Sequence, residues 1–358
     1  MLGEKKIIKY GMQDVETFIP YTLNGLYITS KPSDEINQLV REIESLMPFE
    51  TSLNRFFLTL IQDVEMLASY ELNGSTYNLS DLYAPSSFNL FHKQLKEMQE
   101  IYAYAPEHIN KLGYANRFLK DLHHALYSKN VRFYPGEFRK TVSFLGSDTI
   151  ENAYFVSCEP EHMQMNMDEM ELFMYRDDIS VYVRSALMYY QIMANLPFLI
   201  GNQDIARLSS QLYLMEFGGI PHYIPLSRFL EDIEDIRFEA LRKGDVNIFI
   251  IAYLKAIKEA IESAQYMIKS YNRLKKRQQK LIENSDHTIY QKRRLQEMLI
   301  QSHRTVYLDS EPLQETFGVL NKTIIKRYRF LMELGILEKK KTYFENQYYN
   351  KGLLRILK

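Results

Sequence analysis

Apolar residues along most of this chain recur every three to four positions, which is the spacing of amphipathic helices. The clearest stripe consists of Ile36, Leu39, Val40, Ile43 and Leu46. Ser33 precedes it and belongs to the residue types preferred at a helix N-cap. A second stripe, from Phe56 onward, is predicted to end at Asn73-Gly74, because both residue types tolerate the left-handed C-cap conformation. The N-terminal third is therefore expected to be a set of packed helices.

The same spacing predicts further helices over 109–130, 163–174, 181–194, 204–217, 227–243 and 246–279. The segment 181–194 carries apolar residues on nearly every side, which is typical of a helix buried in a core. Between residues 139 and 155, β-type residues alternate on both sides of Gly146-Ser147-Asp148 and predict a hairpin. We therefore expect a mainly α fold with a small β-hairpin.

The C-terminal end differs from the rest of the chain in its predicted elements and in its charge. Helices are predicted over 291–301, 311–316 and 321–334, followed by three lysines and a β-type stretch over 342–349. A helix-turn-helix followed by a basic hairpin is the pattern of a winged helix. Residues 291–358 also contain 14 Lys and Arg against 7 Asp and Glu, although the net charge of the whole chain is -1. A basic end on an acidic body indicates a separate function for that end.

Cations in this C-terminal segment are candidates for contacts with nucleic-acid phosphates. They are Lys322, Lys326, Arg327, Arg329, Lys339, Lys340 and Lys341. The first four lie on the last predicted helix, which can enter a major groove while the lysine hairpin contacts the backbone. A solvated charged face, protein contacts and dimerisation are alternative interpretations of the same residues.

The cysteine count and the distribution of apolar residues indicate the cellular compartment in which the protein is expected. Cys158 is the single cysteine, which excludes an intrachain disulfide and a thiolate metal site and favours a reducing compartment. The chain has no run of about 18 apolar residues, so no transmembrane helix is expected. Residues 1–10 lack the apolar core of a signal peptide. Together these features predict a cytoplasmic protein that does not insert into membranes.

The candidate catalytic and binding residues are concentrated in one stretch, Leu196-Pro197-Phe198-Leu199-Ile200-Gly201-Asn202-Gln203-Asp204-Ile205-Ala206-Arg207. It resembles the signature of the Fic (Fido-fold) family, H-P-F-x-[D/E]-G-N-G-R-x-x-R, whose enzymes transfer AMP from magnesium-bound ATP to a protein hydroxyl. Other segments extend the resemblance. They are 17–20 (F-x-P element), 68–75 (inhibitory S-x-x-x-E-[G/N] helix), 135–139 and 154–160 (target-docking flap), and 344–357 (winged helix of long bacterial Fic proteins).

The resemblance covers nearly the whole chain and implies its organisation. An N-terminal helical region with an inhibitory-helix-like segment is expected over 1–105. A Fic core with the small hairpin flap is expected over 106–285, and a winged-helix domain over 286–358. In this alignment Asn73 takes the position of the inhibitory Glu, whose ion pair an amide cannot form.

The reactive groups of the family motif are mostly replaced. Leu196 stands at the position of the catalytic His and cannot accept a proton, so no competent catalytic residue is expected. Ile200 stands where the family has its metal-binding carboxylate and offers no oxygen ligand, so we expect no metal site and no bound cofactor. Gln203 and Asp204 replace a glycine and an arginine that would face the phosphates.

Parts of the binding frame remain. Gly201 and Asn202 precede a helix, where free N–H groups and the helix dipole favour an anion, and Arg207 matches the second motif arginine. Asp204 is expected to act as the N-cap of this helix, and it is also a candidate partner for Arg207. His123, His124 and His222 are expected to be ordinary core or surface residues rather than a substitute base.

The first functional hypothesis is a degenerate Fic protein without efficient AMP transfer, acting as a regulatory or binding module through DNA or a partner. A protein partner at the flap and a homodimer are additional alternatives. The second hypothesis is an active protein adenylyltransferase that holds ATP in an altered pose and modifies a Ser, Thr or Tyr hydroxyl.

Overall fold

A computed structural model describes residues 2–29, 32–49, 54–83, 90–341 and 346–357. The chain begins with an antiparallel hairpin of two strands, β1 (Gly3–Tyr10) and β2 (Gln13–Pro20). We did not predict this hairpin, although its signal is present in the sequence. In β2, Val15 and Thr17 are buried while their neighbours Asp14 and Glu16 are exposed, which is the period-two pattern of a half-buried strand.

Helices follow: α1 (Leu23–Thr29), α2 (Asp34–Ser45), α3 (Arg55–Glu71) and α4 (Leu79–Tyr83). Of these, the periodicity predicts α2 and α3, whereas α1 and α4 were not predicted. The N-cap prediction for Ser33 is confirmed, since its hydroxyl accepts the Ile36 N–H at 3.3 Å. The predicted end of α3 is also confirmed, because Gly74 has a positive φ of 84° just beyond the helix.

The prediction of a single helix over 109–130 is wrong. Instead α5 (Leu90–Leu112) and α6 (Asn116–Tyr127) are separated by Gly113, whose φ is +67°. A side chain at Gly113 would also lie 2.6 Å from the Tyr175 hydroxyl oxygen, so this break requires glycine. The Glu171 carboxylate accepts the Asn116 N–H at 2.8 Å and so satisfies the start of α6.

The central helices are α7 (Pro160–Phe173), α8 (Val181–Asn195), α9 (Asn202–Phe217), α10 (Ile233–Lys243) and α11 (Asn247–Glu283). The prediction that α8 is buried is confirmed, since only Val181 and Arg184 are partly accessible. The continuous helix predicted over 227–243 is wrong, because a separate 3-10 turn (Leu226–Phe229) precedes α10. These helices share one large apolar core with α2, α3, α5 and α6.

The predicted hairpin is present but very short. Strands β3 (Phe144–Leu145) and β4 (Phe155–Val156) pair antiparallel over two residues each. A longer loop with a 3-10 turn (Ile150–Asn152) joins them. Phe155 and Tyr154 rest on the Phe238 ring of α10, with ring centres 5.8 and 5.2 Å apart, so aromatic contacts hold the flap against α10.

The C-terminal elements are α12 (Ile289–Ser302), β5 (Tyr307–Leu308), α13 (Ser310–Phe317), α14 (Asn321–Glu333), β6 (Leu337–Lys341), β7 (Asn346–Asn350) and α15 (Lys351–Ile356). The strands form a sheet in the order β5-β7-β6, and this region has a second, smaller core. Residues 342–345 of the predicted β-type stretch lie outside the described residues, and the winged helix stays a prediction. Leu353 and Leu357 return to the large core.

Glu65 is a buried carboxyl group in α3, with 1% of its surface exposed. Its two oxygens accept the Ser227 N–H at 2.8 Å and the Ser227 hydroxyl at 2.7 Å. Burial raises the pKa of Glu65 to about 7, although these hydrogen bonds act in the opposite direction. The folded chain therefore retains a proton that the unfolded chain loses near the ordinary glutamate pKa of 4.5.

We expect the free energy of unfolding to fall as pH rises from about 4.5 to about 7, because over this interval the native state binds more protons than the unfolded state. Glu65→Gln resembles the protonated form and should remove on the order of 3 kcal/mol of this decline. Urea unfolding at acidic and slightly alkaline pH measures the effect. Glu262→Gln, at an exposed site on α11, is the control, and an unchanged decline in Glu65→Gln would contradict the prediction.

Candidate functional site

The motif loop connects α8 to α9 and begins at a residue with strained backbone. Leu196 has φ 45° and ψ 63° and is fully buried. Leucine rarely adopts the left-handed conformation, which costs about 1–2 kcal/mol. The surrounding structure must therefore impose this geometry, and the buried Leu196 side chain supplies no group that accepts a proton.

Arg139 holds this strained loop in place. Its Nε donates to the Leu196 carbonyl at 2.8 Å, and its Nη2 donates to the Asn195 and Cys158 carbonyls at 3.0 and 2.8 Å. Its backbone N–H donates to the Pro197 carbonyl at 2.9 Å. Burial lowers the pKa of Arg139, yet every contact is one that a guanidinium makes as a donor. Arg139 is thus a structural residue that sequence reasoning did not assign to the site.

His123 is not a substitute base. Its ring stacks on Phe198 with ring centres 4.0 Å apart and an interplanar angle of 6°. Nδ1 accepts the Gly136 N–H at 2.9 Å, so Nε2 carries the proton and donates to the Ile200 carbonyl at 3.2 Å. Burial lowers the pKa of His123 to about 4. Both ring nitrogens are therefore occupied in a neutral ring that supports the loop.

The two other candidate histidines are also engaged with backbone. The Nδ1 of buried His222 lies 2.7 Å from the Tyr223 carbonyl oxygen. The Nδ1 of exposed His124 lies 3.3 Å from the Pro135 carbonyl oxygen. These contacts fit the structural roles expected for both residues.

The N-cap prediction for Asp204 is wrong. Helix α9 begins at Asn202, its N-cap is Gly201 with φ +71°, and no side chain caps it. Asn202 folds back instead, accepting the Phe198 N–H at 2.9 Å and donating to the Phe198 carbonyl at 2.8 Å. Asp204 therefore lies within the first turn, where its carboxylate is free to accept hydrogen bonds from other side chains.

Tyr127 covers the turn that we predicted as an anion site. A Cβ atom on Gly201 would lie 2.2 Å from Cε2 of Tyr127, so the ring packs directly on this glycine. The Tyr127 hydroxyl donates to Oδ2 of Asp204. Burial and the Asp204 charge raise the pKa of Tyr127, which keeps the hydroxyl a donor. The start of α9 is thus covered by a ring and carries a carboxylate.

Arg207 is buried, with 3% of its surface exposed, and contacts α3, the residues just after it and its own helix. Nε donates to the Ser69 hydroxyl at 2.7 Å, and Nη2 donates to Oδ1 of Asn73 at 2.9 Å and to Oδ1 of Asp204 at 2.7 Å. Asn73 also donates to Asp204 at 2.7 Å. Burial alone lowers the pKa of Arg207, but Asp204 and nearby tyrosines outweigh it and raise that pKa.

Asn73, at the inhibitory-Glu position, does meet Arg207, as the alignment implied, but it offers an amide. The carboxylate comes from Asp204, three residues before Arg207 on the same helix. We name Ser69, Asn73, Tyr127, Asp204 and Arg207 the Arg207 cluster.

The cluster and the loop do not fit a magnesium-bound nucleotide. Ile200 supplies no oxygen ligand, the Tyr127 ring occupies the space over Gly201, and the Asp204 carboxylate repels phosphate. Over the part of the chain that is described, no three His, Cys, Asp or Glu side chains converge as metal ligands would.

Sequence reasoning included Ser69 in the 68–75 segment but did not assign it to the site, and it missed Tyr127, although local spacing contained a signal. Ser69 lies four residues before Asn73, and Tyr127 lies four residues after His123. Residues four apart share one face of a helix. The spacing could have grouped each pair, but it could not show that the two faces meet.

The basic C-terminal residues divide into two sets. Six are exposed: Lys322, Lys326, Arg329, Lys339, Lys340 and Lys341. The structure corrects our assignment of Arg327 to the exposed face. Arg327 is only 8% exposed, and its guanidinium lies 5.5 Å from the Phe317 ring centre. It therefore packs in the smaller core and does not belong to the exposed face.

Helix α11 adds cations that we did not assign to this surface. They are Arg273, Lys275, Lys276, Arg277 and Lys280, all exposed. Four of them, all but Lys275, line a concavity of about 600 Å3 together with Leu334 at the end of α14. None of the five forms an ion pair with any described residue. We name these five residues the α11 cations.

The Fic/DOC family model matches residues 114–214, which span α6 to most of α9. A Fic family protein from Desulfovibrio desulfuricans G20 matches with a TM-score of 0.58 and 16% identity, over 89% of this chain and 97% of its own. A Fic domain containing signaling protein from Bacteroides thetaiotaomicron VPI-5482 matches with a TM-score of 0.52 and 16% identity, over 66% of this chain and 97% of its own.

At this identity the two structures establish a shared fold. A search of curated proteins found no significant match. Among the described helices, none combines the length and apolar character needed to cross a bilayer.

We expect Asp204→Asn to lower the free energy of unfolding by about 3 kcal/mol, because it leaves the buried Arg207 guanidinium without a carboxylate. The double variant Asp204→Asn/Arg207→Met should cost less than the sum of the single variants, by about 1–3 kcal/mol. Urea unfolding of the four proteins measures this coupling.

The exposed pair Glu239 and Lys243, also on one helix, is the matched control and should show much weaker coupling. Additive costs at Asp204 and Arg207 would show that the pair is not the stabilising contact.

Proposed function

We propose that this chain, whose residues 114–214 form a Fic/DOC-family domain, does not transfer AMP efficiently and acts as a binding or regulatory module. The observation that carries the proposal is the Arg207 cluster. Its guanidinium, which a phosphate would need to reach, already donates to Ser69, Asn73 and Asp204.

Electrostatics support this proposal. A phosphate oxygen about 4 Å from the Asp204 carboxylate would be repelled by roughly 1 kcal/mol in water and about 4 kcal/mol at an effective dielectric near 20. Releasing Arg207 would also break charge-assisted hydrogen bonds worth about 1.5–3 kcal/mol each. Both free-energy costs oppose the binding of ATP itself, before the AMP-transfer step.

The chemical step has a separate obstacle. A positioned general base typically contributes about 10²–10⁴ in rate. Leu196 cannot act as a base, and both nitrogens of His123 are engaged by backbone groups. An active adenylyltransferase in an altered pose would need a base from a residue that does not adjoin the motif loop.

We expect calorimetry to show magnesium-ATP binding weaker than about 1 mM for the native chain. Tyr127→Ala/Asp204→Asn uncovers Gly201 and removes the repelling charge, so it should bind at least about tenfold more tightly. Neither protein should incorporate label from α-labelled ATP, since no base is restored.

Leu172→Ala, an exposed apolar position on α7, is the control for ATP binding, and circular dichroism checks that each variant folds. Micromolar ATP binding by the native chain, or label incorporation that Arg207→Ala abolishes, would overturn the proposal in favour of an active transferase.

We further propose that the basic C-terminal region binds the phosphate backbone of DNA. The supporting observation is that its exposed lysines and the α11 cations form no ion pair with a described carboxylate. Lys326 contacts the Phe330 ring, which leaves its charge in place. Unpaired cations can release counterions from DNA, which is the main source of sequence-independent affinity. The rest of the chain carries a net negative charge and is repelled by DNA. The basic end is therefore the part that would face DNA.

We expect Lys339→Ala/Lys340→Ala/Lys341→Ala to weaken binding to a mixed-sequence duplex. It should also reduce the slope of log K against log salt by roughly 0.9 for each phosphate that is no longer neutralised. Fluorescence anisotropy over a series of salt concentrations measures the slope.

The matched control is Lys5→Ala/Lys9→Ala/Lys93→Ala, which removes three exposed lysines on β1 and α5. Arg327→Met should leave the slope unchanged, because Arg327 is buried. Equal slopes for both triple variants would remove the hairpin from the proposed interface.

A further inference from the structure

A second concave site lies beside the Arg207 cluster. A cavity of about 810 Å3 lies between α5, α6 and the end of α3. Pockets for small molecules in proteins typically measure about 300–1,000 Å3, so this volume suits a compact organic ligand. Tyr70, Asn73, Tyr127 and Asp204 form one wall, and Arg207 lies behind that wall.

Tyrosine rings and aliphatic side chains make up much of the lining of this cavity. Five tyrosines contribute to it: Tyr70, Tyr77, Tyr102, Tyr104 and Tyr127. Apolar side chains between them include Leu95, Met98 and Leu122. Tyrosine faces stack on flat rings and attract cations through the ring quadrupole, so the walls favour a flat ligand that carries positive charge.

The charges that line the cavity are predominantly negative. Four carboxylates contribute, Glu97, Glu100, Asp121 and Asp204, against the cationic side chain of Lys129 and the His108 ring. The Lys129 ammonium is already hydrogen-bonded to the Glu97 carboxylate. Nε2 of His108 lies 3.2 Å from the Asp121 carboxylate.

Glu100 is exposed and has no ion-pair partner among the described residues. Lys96, one turn earlier on α5, interacts with Glu100 through charge without forming an ion pair. An entering cation would therefore gain a carboxylate that has no ion-pair partner, whereas a phosphate would meet like charge.

We propose that this cavity binds an organic cation with a flat aromatic body. The protonated amine would lie near Glu100 and the aromatic body against the tyrosines. The proposal does not depend on the function proposed above, and either can fail without the other. Because Tyr127 and Asn73 belong to both sites, an occupant would touch side chains that hold Arg207.

The composition of the chain provides a direct assay. It contains no tryptophan, so indole fluorescence excited beyond the tyrosine band reports the ligand alone. Tryptamine, tryptophol and indole-3-acetate share one ring and differ in charge: positive, neutral and negative. We expect tryptamine to bind most tightly and indole-3-acetate most weakly, with at least about a tenfold difference in Kd between them.

Substitutions then locate the site. Glu100→Gln should weaken tryptamine binding severalfold and leave tryptophol binding unchanged, because only the cation interacts with the carboxylate charge. Ala125→Phe, at an exposed position that lines the cavity, should fill it and weaken both ligands. Glu231→Gln removes an exposed carboxylate outside the cavity and should change neither.

Circular dichroism confirms that the variants fold. Equal affinity for the three indoles would overturn the assigned charge preference. Unchanged binding in Ala125→Phe, or no tryptamine binding to the native chain, would overturn the site itself.

Discussion

The ion pair between Arg207 and Asp204 is the contact on which the arrangement of the motif depends. A buried guanidinium is tolerated only when it is paired and its donors are satisfied. Asp204 supplies the charge from the same helix, Ser69 of α3 and Asn73 just beyond its end supply acceptors, and Tyr127 ties Asp204 to α6. One buried charge thereby fixes three helices around the start of α9.

The side chains around the motif loop form a consistent set when they are considered together. An aspartate in the first turn of α9 both neutralises Arg207 and accepts the Tyr127 hydroxyl, and the Tyr127 ring packs on Gly201. Asn73 then needs no charge, because it only bridges Arg207 and Asp204. The motif loop also has a defined backbone, with Leu196 in a left-handed conformation that Arg139 supports.

The basic end has a small apolar core of its own and is still anchored to the rest of the chain. Ile282 of α11 packs in the smaller core, whereas Leu353 and Leu357 at the end of the chain pack in the large one. Gln278 and Asn350 are hydrogen-bonded at 2.9 Å between these regions. The α11 cations lie on the helix that joins the two cores, so they extend the basic surface beyond the C-terminal region itself.

The sequence by itself determined the features that are encoded within a few helical turns. The apolar spacing, the Ser33 cap and the buried character of α8 depend only on near neighbours, and the resemblance also placed Asn73 opposite Arg207. The candidate pairing of Asp204 with Arg207, three residues apart, is confirmed. Only the tertiary structure decided the contacts between distant groups, such as Asn73 and Asp204, which are 131 positions apart. The same reason explains why the covering role of Tyr127 and the burial of Arg327 could not be predicted: each depends on a side chain contributed by another helix.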